Sequence, residues 1–426
     1  MNIKKIRVIV PLLLSTALCL STAGCSADGA FAFLSKESKE EGDPLLPDNS
    51  QSSSREGEKT DSEEIVIIEE QQDPVEGTAE KGTEGLSGFH YDQIPEEERK
   101  VYEQLYTGIS ERKSEFYITA DSAENVGPAL RALLADHPEF FWLTGSASIY
   151  GFPGPGIKRI TLEFNIDPAD IDSQQALIEA EAAGYLGQLY DGMSEYEKVR
   201  LAYEYVIRNT DYVMGAQQSQ NIQSSMIYHE SVCAGYAREF QYLLVNAGVF
   251  CAYVEGDITD RTSGSMEAHA WNLVMIDGEY TYADPTWGDP NYTSEEQNDM
   301  APEVTYSYLC LTSDDLARSG YQPTEEYTIP ETYSRTWDYY VLNGYYHEYY
   351  NYDEIYTMLI DAINNGADSV HMKFSDFDNY SAAKGDLYDG ELLSTALQHK
   401  MSIEGKGTMS YYPVNEDALY TIDIYW

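Results

Sequence analysis

Residues 231–244 read SVCAGYAREFQYLL, an amphipathic helix with a cysteine in its first turn. A cysteine within a helix packs as a small hydrophobe. At a helix N-terminus it meets free backbone N–H groups and the positive end of the helix dipole, which favour the thiolate. Ser231 is placed to cap this helix and Gly248 to end it. Beyond Gly248 the pattern changes to strands: VFCAYVEG at 249–256, AHAWNLVMI at 268–276 and YTYADPTW at 280–287. A helix followed by an antiparallel run reads as α+β.

Asp277-Gly278 separates the last two strand patterns and signals a two-residue type I′ hairpin. If those residues form the whole loop, Ile276 pairs with Glu279. Trp271 then lies opposite Asp284, and His269 and Asp284 become diagonal neighbours on one face, roughly 7–8 Å apart at the backbone. A slip of one residue would put them on opposite faces.

Cys233, His269 and Asp284 thus supply what nucleophilic acyl chemistry needs: a thiolate, an imidazole to move its proton, and a carboxylate to orient the imidazole. The Cys233 backbone N–H is one oxyanion donor; Gln223 and Tyr228 are candidates for a second, upstream one. Other readings stand beside this. Cys233 could be a core residue. A zinc site is conceivable, but no CxxC or HxxxH pair supports it. Asp289 could replace Asp284, yet an unbroken hairpin points it to the other face. His229, four residues before Cys233, could reach the site or sit in a loop. The acidic run DITDRTSGSME at 257–267 could bind calcium, but it fits no EF-hand spacing and reads as a solvated loop. No cofactor and no metal are expected.

Three separated blocks, VCAGYA (232–237), HAWNLV (269–274) and DGEYTYADPTW (277–287), resemble the bacterial transglutaminase-like superfamily. That family shares its core with papain-type cysteine proteases. The resemblance implies Cys233 as nucleophile, His269 as general base and acid, and Asp284 as orienting carboxylate. It also implies a catalytic helix packed on an antiparallel sheet carrying the other two. YEYVIRNTDY (203–212) and DHPEFFWL (136–143) look like the N-terminal extension of exported members, so the likeness spans about residues 90–330.

Composition narrows the alternatives. The chain has 426 residues and a formal charge of −47, which makes it a poor partner for nucleic acid. No Gly-rich loop ends in Lys-Ser/Thr, so nucleotide binding has no support. Lys4, Lys5 and Arg7 precede an apolar run from Val8 to Leu20, and STAGC ends at Cys25. This resembles a lipoprotein signal cut before a lipidated Cys25, although Thr22 stands where leucine is usual; an ordinary signal peptide cut nearby is the alternative. The expected localisation is the outer face of a bacterial membrane, through an N-terminal lipid. Of the remaining thiols, Cys251 and Cys310 sit in apolar strand settings and read as packing residues, with a disulfide between them left open.

The expected domains are a signal at 1–24, a disordered Ser- and Glu-rich tether at 25–88, an α+β extension at 89–192, the catalytic core at 193–335 and a small α+β domain at 336–426. Helical patterns cover 95–106, 121–135 and 173–209 with a break near Gly192. Ser194 and Glu197 have the spacing of a capping box. WDYYVLNGYYHEYYNY at 337–352 holds Asn343-Gly344 and reads as a second hairpin, packed between domains or serving as a platform for sugars or peptides. The expected function is a monomeric thiol enzyme acting through a thioester on protein or peptide amides, with cell-wall-associated substrates among the candidates. A surface protein that keeps this fold only for binding is the alternative.

Overall fold

The computed structural model describes residues 86–259, 264–290 and 300–426, together with the backbone of 65–68. The signal, Cys25 and most of the tether fall outside the described residues. The N-terminal unit contains β1 (Ile65–Ile68), α1 (Glu96–Ser110), β2 (Glu115–Ala120), α2 (Val126–Asp136), β3 (Leu143–Tyr150) and β4 (Gly156–Phe164). Its strands lie in the order β1-β3-β4-β2. The apolar island IVII, read from sequence as part of a disordered tether, is corrected here: it is β1, paired in parallel with β3 from Ile65–Ala147 to Ile68–Tyr150. Four β-branched residues in a row suit a sheet edge.

The central unit follows with α3 (Ile171–Leu186), α4 (Glu195–Asn209), β5 (Asp211–Tyr212), α5 (Ile222–Met226), β6 (Glu230–Ser231) and α6 (Cys233–Asn246). It continues through β7 (Cys251–Thr259), β8 (Met266–Ile276), β9 (Glu279–Ala283), β10 (Leu309–Leu311), α7 (Ser313–Arg318) and β11 (Tyr321–Pro323). The capping box forms: the Ser194 hydroxyl accepts from the Glu197 amide, and the Glu197 carboxylate accepts from the Ser194 amide at 2.8 Å. The sheet runs β10-β9-β8-β7-β11, antiparallel throughout. Residues 251–254 of β7 and 269–274 of β8 are buried on both faces. Val274 and Ile276 join the main core with α4 and α6, while Trp271 and Leu273 pack with Tyr282, Tyr308 and Tyr321.

The C-terminal unit holds α8 (Tyr339–Leu342), β12 (Tyr346–His347), α9 (Tyr352–Asn364), β13 (Ser369–Phe374), α10 (Phe377–Tyr388), α11 (Leu392–Glu404), β14 (Tyr412–Glu416) and β15 (Thr421–Tyr425). Its sheet order is β12-β13-β15-β14, and residues of α9, α10 and α11 close a separate apolar core over it. The tyrosine-rich segment is not a hairpin. Asp338 caps a short helix through the Tyr340 amide, and Gly344 at φ 75° ends it with Tyr345 N–H on Tyr340 C=O at 2.7 Å. A type I′ turn needs positive φ at both central residues; Asn343 has φ −96°, so Asn-Gly acts here as a helix terminator.

Candidate active site

Cys233 is the first residue of α6, half-buried, and follows the extended Val232. Ser231 does not cap this helix, contrary to the sequence reading: Val232 is the N-cap residue and offers no side-chain bond. The Ser231 hydroxyl instead meets Ser224 Oγ at 2.6 Å, which ties α5 to the entry of α6. A Cβ at Gly235 would come within 1.9 Å of Ser231 Oγ and 2.6 Å of Ser224 Oγ. The glycine two residues after the thiol is therefore a packing requirement. It lets the serine pair lie under the first turn of α6.

The hairpin has the register that the turn chemistry requires. Asp277 and Gly278 both have positive φ, 48° and 84°, and the pairs run from Ile276–Glu279 to Asn272–Ala283. Pairing stops at Ala283, and the Asp284 amide turns to Tyr308 C=O at 3.0 Å. The side chains still meet: His269 Nε2 lies 2.6 Å from Asp284 Oδ2. Asp284 is fully buried, and its other oxygen accepts from the Thr286 and Trp287 amides at 3.0 and 3.3 Å. With Nε2 engaged by the carboxylate, the imidazole also interacts with the Cys233 thiol.

The electrostatics follow from this placement. Burial, the largest influence on His269, disfavours the imidazolium. The charge and hydrogen bond of Asp284, with the contact to Cys233, outweigh it and push the His269 pKa up to about 10. The imidazole is thus held charged at neutral pH beside a thiol. Trp271, Trp287 and Tyr321 enclose the ring at centroid distances of 6.1, 6.2 and 5.6 Å.

Tyr321 is the site residue that the sequence did not reveal. Its hydroxyl donates to Asp284 Oδ2 at 2.6 Å, the same oxygen that binds His269. Burial first, then the neighbouring carboxylate, raise its pKa well above the ordinary tyrosine value. It arrives on β11, which pairs with β7 through Tyr321–Ile258, some forty residues after the hairpin. One tyrosine among 37 carried no local signal.

The upstream oxyanion candidates fare differently from the three central residues. Gln223 is fully buried in α5, and one of the two N–H donors on its Nε2 is taken by Gln174 Oε1 at 2.5 Å. Tyr228 is exposed on the loop after α5, with its amide on Gln223 C=O. His229 is an exposed loop residue at φ 56°, its Nδ1 on Asn209 C=O at 2.9 Å. Asp289 accepts from the Tyr236 hydroxyl at 2.9 Å, while the carboxylate bonded to His269 Nε2 is that of Asp284. Cys251 and Cys310 are both free and buried, and burial pushes both thiols far up. The acidic run at 257–267 lies partly outside the described residues. Among the described residues no cluster of three or more His, Cys, Asp or Glu side chains could hold a metal.

A sequence-family model described as the transglutaminase-like superfamily matches residues 187–285. Kyphoscoliosis peptidase from Mus musculus and its Homo sapiens counterpart are each 24% identical over 156 residues. The matched part is 33% of this chain and only 23% of the length of those relatives. A crystal structure of a TGase is similar at 15% identity and a TM-score of 0.25, covering 37% of this chain and 48% of its own. The periplasmic domain of TgpA from Pseudomonas aeruginosa is similar at 16% identity and a TM-score of 0.20, covering 32% and 55%. The family assignment rests on the sequence match. Residues 187–285, which hold Cys233, His269 and Asp284, are the part of the chain that matches the transglutaminase-like superfamily.

Proposed function

We propose that Cys233, His269 and Asp284 form the catalytic relay of a thiol enzyme acting on protein or peptide amides. The supporting observation is the 2.6 Å bond between His269 and Asp284, with the same imidazole in contact with a thiol at the start of a helix. The Cys233 sulfur attacks the carbonyl carbon, and the C–N bond breaks as His269 returns a proton to the departing amine. A thioester remains on Cys233. The Cys233 N–H, at a helix end with no capping side chain, faces the developing oxyanion. Water resolving the thioester gives hydrolysis; a second amine gives acyl transfer. The name of the curated relatives, a peptidase, favours water.

The test is alkylation at neutral pH with iodoacetamide, followed by peptide mapping. Native protein should be modified at Cys233, while Cys251 and Cys310 react only after unfolding. Absence of adduct at Cys233 in folded protein would refute the relay. Release of amino groups from casein, compared with incorporation of a fluorescent amine, separates hydrolysis from transfer. The reading of residues 1–25 extends the proposal to a lipid-anchored enzyme on the outer membrane face, testable by palmitate labelling that Cys25→Ala abolishes.

A further inference from the structure

The C-terminal sheet brings a second nucleophile, base and carboxylate into line. Ser369 and His371 are two residues apart on β13 and so leave the same face. Asp423 lies directly opposite His371 on β15. Ser369 Oγ is 3.0 Å from His371 Nε2, and His371 Nδ1 is 3.0 Å from Asp423 Oδ1. Asp423 Oδ2 accepts from the Tyr340 hydroxyl at 2.9 Å, which fixes the carboxylate from its far side. An ionised carboxylate only accepts, so Nδ1 carries the proton and Nε2 is free to take one from the Ser369 hydroxyl. Each atom has the role that a serine nucleophile requires.

We propose that Ser369, His371 and Asp423 form a second acyl-transfer site, independent of Cys233, that hydrolyses small uncharged carboxylic esters. The sheet edge supplies the oxyanion donor. Trp426 N–H donates to Asp368 C=O at 3.0 Å, and antiparallel pairs alternate between bonded and non-bonded. The next pair, Ser369–Tyr425, is therefore non-bonded, and the Ser369 N–H points to the opposite edge. There β12 pairs only with Lys373 and Phe374, so it stops short of Ser369. That N–H stands beside its own Oγ, where the oxyanion of an attacked carbonyl would form.

The surroundings select the substrate. Tyr339, Tyr345 and Tyr425 ring the imidazole at 6.3, 5.4 and 5.7 Å, and the nearest cation on the strand, Lys373, is tied to Asp338 at 2.6 Å. An aromatic ring of this kind favours an uncharged acyl group over an anionic one. A single oxyanion donor suits an ester, whose alkoxide leaves more readily than an amine. Ser369 is half-buried and so reachable, while the Asp423 side chain is 1% exposed. In the reaction Ser369 Oγ attacks the carbonyl carbon as Nε2 takes the hydroxyl proton. The C–O bond to the alcohol breaks, and the imidazolium gives that proton to the alcohol oxygen. Water, deprotonated by the same nitrogen, then releases the acid and restores Ser369.

The experiment uses the Cys233→Ala protein, which removes the thiol site. An alkyl fluorophosphonate should add to Ser369, located by peptide mass spectrometry. Turnover of p-nitrophenyl acetate should fall by about 10²-fold or more when Ser369→Ala or His371→Gln is added. If those variants fail to fold, the adduct mapping decides alone. Adding Ser369→Cys gives a further measure: the introduced thiol should react with iodoacetamide faster than glutathione does at pH 7. Folded protein without a fluorophosphonate adduct at Ser369 would overturn the proposal and leave the network a structural one. So would an introduced thiol no more reactive than glutathione.

Discussion

Tyr321 and His269 meet on one atom, each lying 2.6 Å from Asp284 Oδ2. The two donors compete for the same negative charge. The tyrosine bond spreads that charge and holds the carboxylate, so it moderates the pull on the imidazole. Tyr321→Phe keeps the ring against Trp271, 5.0 Å away, and removes only the hydroxyl. The His269 pKa should then climb above its value of about 10. Losing a hydrogen bond to a charged group should cost about 1.5–3 kcal/mol of stability. Histidine NMR titration, with His269 assigned by comparison with His269→Gln, reads the first effect; denaturant unfolding reads the second. A lower stability with an unmoved titration would show that Tyr321 only packs.

Asp284→Asn should act in the opposite direction on His269. Burial would then oppose the imidazolium with only the Cys233 contact to offset it, and the pKa should fall well below about 10. Linkage gives the sign for stability. A histidine raised on folding from about 6.5 to about 10 stabilises the fold fully below pH 6.5 and loses that contribution as pH rises through 10. The stability gap between wild type and variant should therefore be widest near pH 6 and narrow towards pH 10. Unfolding midpoints at pH 6, 8 and 10 test this, and a constant gap would remove the coupling. Turnover should drop as well, by up to about 10⁴-fold if the imidazole is held in the wrong tautomer.

The hairpin offers a structural test of the same relay. Because pairing from Ile276–Glu279 depends on a two-residue loop, one glycine inserted after Gly278 should shift every later residue by one. Asp284 would then face away from His269. Amide turnover should be lost while Cys233 remains on an intact α6. Circular dichroism confirms the fold and iodoacetamide labelling the thiol. An insertion variant with full turnover would show that Asp284 reaches His269 independently of the register.

That register was legible because two adjacent residues decide it. Asp-Gly is a local signal, and strand alternation then carries the geometry from residue 277 to residues 269 and 284. The helix start at Cys233 was legible for the same reason. Ser231 misled because a serine near a helix start can cap it or bond elsewhere, and only the fold shows that Ser224 lies beneath it. Asn343-Gly344 is as local as Asp277-Gly278, yet its outcome differed. Asp338 had already started a helical turn, which the glycine then closed. Tyr321 could not be read at all, because its place depends on β11 returning beside β7, a pairing set by tertiary packing rather than by neighbouring residues.

Glu239 is a fully buried carboxyl on α6, the helix that starts at Cys233. Thr210 Oγ1 donates to its Oε2 at 3.2 Å, while Oε1 has no partner among the described residues. Burial, opposed in part by bonds from Ser225 and Thr210, pushes its pKa up to about 8 from an ordinary 4.5. A carboxyl raised on folding contributes stability that is fully present below pH 4.5 and is lost as pH climbs through 8. Between those limits the loss is about 1.4 kcal/mol for each step of one in pH. Above pH 8 the helix carries a buried charge that no cation among the described residues pairs with. Glu239→Gln cannot ionise, so its stability relative to wild type should rise between pH 4.5 and 8, by up to about 5 kcal/mol. Near pH 5 the two proteins should be similar, or the variant weaker, because its amide N–H groups replace the unpartnered oxygen. Unfolding midpoints at pH 5 and pH 8.5 give the comparison. An equal difference at both would mean that Glu239 stays neutral throughout, and α6 would then hold no pH-sensitive group beneath the thiol.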